Sequence, residues 1–76
     1  MTWISDVTAR IADASGIDAA ALALGADEAE TLLRLAGFAA HDSGERTNAP
    51  LLCHVLGRAV ALGVPLDQLA RSVEGP

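Results

Sequence analysis

The sequence predicts an all-α fold, a small bundle of four main helices with one short extra helical turn. Two patterns carry that reading. Apolar residues recur at three- and four-residue spacings through most of the chain, the signature of helices burying one face. No stretch shows the sustained period-two alternation of β-branched residues that a half-buried strand requires. Hydrophobic residues make up 51% of the chain, with one Trp, one Phe and no Tyr, so the core has to be aliphatic.

The first helix is expected over 2–14. Trp3, Val7, Ile11 and Ala14 form one stripe with Ile4 beside it, Thr2 is a suitable N-cap, and Gly16 suits the left-handed position that ends a helix. Asp18 then caps a turn over 19–24, which Gly25 stops. The second main helix is expected over 27–43. Asp27 and Glu30 approximate a capping box, and Leu32, Leu33, Leu35, Ala36, Ala39 and Ala40 make a stripe broad enough for a central helix, with Phe38 flanking. Gly44 closes it. The third is expected over 49–62, with Pro50 in the first turn, where its missing N–H has no helical partner to lose. Its stripe is Leu51, Leu52, Val55, Leu56, Ala59 and Val60, while Gly57 and Ala61 leave room for a close neighbour. The last is expected over 65–74, with Leu66, Leu69, Ala70 and Val73 inward. The expected core is Val7, Ile11, Leu32, Leu33, Ala36, Leu52, Val55, Leu56, Ala59, Leu66 and Leu69. Trp3 is assigned to the bottom of that core; the competing reading makes it the anchor of an interface, where tryptophan is enriched.

Seventy-six residues read as a single helical domain over 1–76 with little room for a large core. Alanine buries little area, so a weak homodimer or a stable contact with a partner protein is expected. The formal charge of −5 argues against nucleic acid, which requires a clustered basic surface. All five cations are arginines, a bias that a high-GC coding sequence produces. A lone cysteine, Cys53, forms no internal disulfide, and no run of 18 apolar residues or basic-then-apolar leader is present. The expectation is a soluble cytoplasmic protein without membrane association.

Most of the hydrogen-bonding chemistry gathers between Ala40 and Leu52. His41, Ser43, Arg46, Thr47, Asn48 and Pro50 are the candidate ligand- or partner-binding residues. In a ligand site, Arg46 would present its planar fork to a phosphate or carboxylate. Free backbone N–H groups near Ala49 and Leu51 would add the positive end of the helix dipole, with Thr47, Asn48 and His41 alongside. The competing, purely structural reading has Asn48 or Thr47 capping the helix, Arg46 paired with Glu45, Asp42 or another acid, and His41 capping the preceding helix. Metal-ligand spacing is missing: His41, Asp42, Glu45, Cys53 and His54 form no His-x-x-x-His, Cys-x-x-Cys or Glu-x-x-His. Cys53 and His54 are adjacent, roughly 100° apart on a helix, and badly placed to share an ion. No nucleophile elbow supports Ser43 or Cys53. Asp42-Ser43 has the residues of an acyl-carrier attachment site, but at the end of a helix rather than the start of one. No catalytic residue, metal or cofactor is assigned, and an enzyme is not expected.

Several residues together carry a likeness: Trp3-Ile4 leading into a helix, Ala40-His41 closing another, Ser43, then Arg46-Thr47-Asn48-Ala49-Pro50-Leu51 and a helix with Gly57 and Ala59. The chain resembles a small all-helical domain family of unknown function from high-GC Gram-positive bacteria. That domain occurs alone or attached to the enzyme that joins a guanine nucleotide to molybdopterin. The likeness spans nearly the whole chain and is most specific from His41 to Gly57. It implies a non-catalytic accessory or interaction module in molybdenum cofactor (molybdopterin guanine dinucleotide) biosynthesis, with the nucleotidyltransferase as partner. The nucleotidyltransferase is a larger α/β enzyme with a Gly-rich nucleotide loop, and nothing of that kind fits in these residues. The alternative function is a small-ligand-binding module that holds an anionic nucleotide or pterin phosphate at the 41–51 loop.

Overall fold

The computed structural model describes residues 2–75. It contains α1 (Trp3–Ser15), α2 (Ala19–Leu22), α3 (Ala26–Ser43), α4 (Asn48–Ala61) and α5 (Leu66–Glu74), with no strand among the described residues. The protein is a small all-α bundle. Helix ends follow their chemistry. At α1 the Thr2 hydroxyl accepts the Ser5 N–H at 3.2 Å while Ser5 Oγ accepts the Thr2 N–H at 3.1 Å, two first-turn donors satisfied reciprocally. Asp18 Oδ1 accepts the Ala20 N–H at 3.1 Å and opens α2. The start of α3 differs from expectation: the cap is Gly25, whose N–H donates to Glu28 Oε1 at 3.3 Å, so Asp27 and Glu30 are not its capping pair. The 19–24 turn is correspondingly shorter, because Ala23 and Gly25 are already extended.

The helices do not all share one core. α3 packs against α4 and α5, and these two touch each other. Leu35, Leu56 and Ala70, one from each, are buried together, with Leu32, Leu52, Leu66, Leu69 and Val73 packed around them. α1, where Ala12 is buried, packs on α2, but neither comes within 8 Å, Cα to Cα, of α3, α4 or α5. The expected core changes accordingly. Leu56 is buried, while Val7, Leu32, Ala36, Leu52, Ala59, Leu66 and Leu69 are half-buried. Ile11, Leu33 and Val55 are exposed. Ile11 lacks a partner because α1 stands apart. Leu33 lies about 160° round the helix from Leu35, away from both neighbours of α3. Gly57 and Ala61 are also exposed, and nothing lies within 4 Å of a Cβ built on Gly57, so no helix uses that close approach.

This arrangement leaves the chain extended. It exposes 5674 Å², against about 4400 Å² for a compact monomer of its mass. Its radius of gyration is 13.3 Å, against about 11.4 Å for a compact domain of its length.

Candidate functional site: an apolar groove beside the central turn

The turn that carries the candidate residues is built by Ser43 and Gly44. Gly44 takes φ +75°, the left-handed position that ends α3. Ser43 Oγ donates to the Ala39 carbonyl at 2.6 Å and accepts the Glu45 N–H at 3.2 Å. That hydroxyl is used in holding the turn. The chain then winds into α4 early. The Asn48 N–H donates to Glu45 O at 3.2 Å and the Ala49 N–H to Arg46 O at 3.1 Å, tighter i to i−3 bonds of the kind that often precede a helix. Thr47, the cap residue, already has helical φ and ψ, and no side chain caps the helix.

Three expectations about this turn are corrected. The Ala49 N–H is not free for an anion, because Arg46 O accepts it. Neither Asn48 nor Thr47 caps the helix with its side chain: the Ala49 N–H that a Thr47 cap would take is donated to Arg46 O, and Pro50 has no N–H to offer. Arg46 is exposed, and the two ion pairs among the described residues are Arg34–Glu74 and Arg71–Asp67. Its expected pairing with Asp42 or Glu45 is therefore not made.

An open groove of about 390 Å³ runs beside the turn where the C-terminal end of α3 meets the start of α4. Phe38, Leu51, Leu52, Val55 and Val73 supply most of its apolar lining. Asp42, Ser43 and Asn48 supply its polar rim. Ser43 and Asn48 are thus the two candidate residues the structure brings to one concave surface. His41, Arg46, Thr47 and Pro50 are exposed and lie outside the lining. His41 is one residue, roughly 100°, round the helix from Asp42. Phe38, Val55 and Val73 are the lining residues that the polar loop did not point to. The sequence signal for this face is Leu51 and Val55 at i and i+4, of which Val55 is in the expected core.

A second apolar surface lies on α1. Trp3 is 74% exposed, Ile4 and Ile11 are exposed, and Val7 is half-buried. Trp3 does not fill the bottom of the core, since no other helix but α2 reaches α1. Among the described residues no cluster of three or more His, Cys, Asp and Glu is placed to hold a metal ion, and no helix is long and apolar enough to cross a membrane. No family model matches this chain, and no curated protein or solved structure matches it.

Proposed function

We propose that this domain is a non-catalytic interaction module that works by presenting apolar helix surfaces to protein partners. The observation that supports it most directly is the exposure of Trp3, Ile4 and Ile11 on α1 together with Leu51 and Val55 at the groove. Exposed apolar residues that line up on helix faces mark interaction sites rather than ordinary surface scatter. The residue likeness around His41 to Gly57 names the first partner to test, the molybdopterin nucleotidyltransferase of the same cell, and with it a cytoplasmic place in molybdenum cofactor biosynthesis. The alternative reading, an anionic nucleotide or pterin phosphate at the 41–51 loop, keeps the uncommitted charge of Arg46 in its favour. It loses the Ala49 N–H donor, and Arg46 lies outside the lining of the groove.

Amide-shift mapping separates the two. The isotope-labelled domain is titrated with purified nucleotidyltransferase in one series and with guanosine monophosphate and inorganic pyrophosphate in another. The interaction reading expects shifts among the exposed apolar helix residues with the protein, and none with the small anions. Saturable shifts confined to Arg46, Thr47 and Asn48 with the anions would replace it by the ligand reading.

A further inference from the structure

Two of the apolar surfaces among the described residues lie on different helical groups and lack a partner within the chain. The first is the α1 stripe of Trp3, Val7 and Ile11, which rises about 12 Å along one helix face. The second is the groove of Phe38, Leu51, Leu52, Val55 and Val73. Arg10 lies at one edge of the stripe, between Asp6 and Asp13 on the same side of the helix; Asp42 lies at the rim of the groove, and neither Arg10 nor Asp42 is in an ion pair among the described residues. We propose that the occupant of the groove is α1 of a second copy of this chain, so that two copies exchange their N-terminal helices in a two-fold dimer. This rests on the reading of the domain as an interaction module and names the partner for these two surfaces.

The exposed area of the chain leaves room for an interface of standard size. Each chain exposes roughly 1300 Å² more than a compact monomer of its mass, while a stable interface buries about 800 Å² per partner. The connection between the two helical groups supports exchange over fold-back. It is only Ala23, Leu24 and Gly25, and both ends of it are extended, with ψ of 136° at Ala23 and 159° at Gly25. A short stretched hinge holds α1 and α2 away from their own bundle, and such hinges favour domain swapping. In the exchanged dimer each groove receives one stripe.

Ile11→Asp spoils the stripe and Val55→Asp spoils the groove. Both residues are exposed in the single chain, so both variants are expected to keep wild-type helicity by circular dichroism. Sedimentation equilibrium then reads the association. The wild type is expected at twice the chain mass of 7.8 kDa. Each variant alone is expected as a monomer, with dimer affinity reduced by roughly two orders of magnitude, because a carboxylate would be buried unpaired in an apolar contact. An equimolar mixture of the two variants regains a dimer, since the intact stripe of one fits the intact groove of the other. A monomeric wild type up to millimolar concentration overturns the exchange, as does a dimer that survives either substitution or a mixture that stays monomeric. A monomeric wild type whose Leu51 and Val55 amides still shift with the nucleotidyltransferase would remove the second copy as occupant and leave the interaction module standing.

Discussion

Arg34 and Glu74 tie the C-terminal end of the three-helix unit to its longest helix. The Arg34 Nε donates to Glu74 Oε2 at 3.1 Å and a terminal guanidinium nitrogen donates to Oε1 at 3.0 Å, across 40 residues of sequence. The hydrogen bonds that Glu74 accepts, and then its charge, hold the Arg34 guanidinium even more firmly protonated than usual. The fork ties the last residue of α5 to the middle of α3. Both side chains remain partly in water, at 55% and 31% exposure, so solvent screens the pair.

Glu74→Gln is therefore expected to lower the thermal midpoint only slightly at low salt, and to speed amide exchange in the last turn of α5. The difference from wild type should vanish near 1 M salt, where the screening length falls to about 3 Å. A deficit that persists at high salt would show that Glu74 contributes through packing rather than charge.

Leu35 and Leu33 make a sharper pair of variants. Leu35 is 0% exposed at the meeting of three helices, and Leu33 is 75% exposed. Leu35→Ala is expected to cost about 2–5 kcal/mol through lost burial and a cavity. In the single chain, Leu33→Ser should change stability by no more than about 0.5 kcal/mol. Urea unfolding monitored by circular dichroism reads both. Equal losses would mean that α3 is turned differently against its neighbours.

That contrast also shows what was legible in the sequence. The spacing of Leu32, Leu33, Leu35, Ala36, Ala39 and Ala40 identifies a helix with a wide apolar arc, and α3 is that helix. Spacing does not say where the arc is centred, because that depends on where α4 and α5 come to rest. The stripe of Trp3, Val7 and Ile11 was legible as amphipathic but not as unpartnered, since periodicity records an apolar face and not what covers it. At the central turn, Gly44 and Pro50 were readable from backbone chemistry alone. The capping roles of Thr47 and Asn48 were not, because the i to i−3 winding at Glu45 and Arg46 depends on how the preceding turn closes.

Gly44 provides a test of that turn. A Cβ built there meets nothing within 4 Å, so Gly44→Ala meets only the cost of placing an alanine at φ +75°. That cost is about 1–2 kcal/mol. Ser43→Ala removes the bonds to Ala39 and Glu45 and is expected to cost about 0.5–1.5 kcal/mol. Chemical denaturation of each variant checks both values.

Asn48→Ala is expected to leave stability within about 0.5 kcal/mol of wild type, because no side chain caps α4. A capping role would instead cost about 0.5–2 kcal/mol. Denaturation midpoints with unchanged slopes distinguish the two.

The most direct measurement uses Trp3, the chain's single tryptophan, which sits on the unpartnered stripe of α1. Its fluorescence emission is followed across a dilution series, with molecular mass measured on the same samples. The proposed exchange of α1 expects the emission of a water-exposed indole in the dilute monomer and a blue shift that rises in step with the dimer. Blue-shifted emission in a monomer at every dilution would mean that α1 packs against its own bundle. Exposed emission in a dimer would mean that the chains associate through some other face; either result contradicts the exchange.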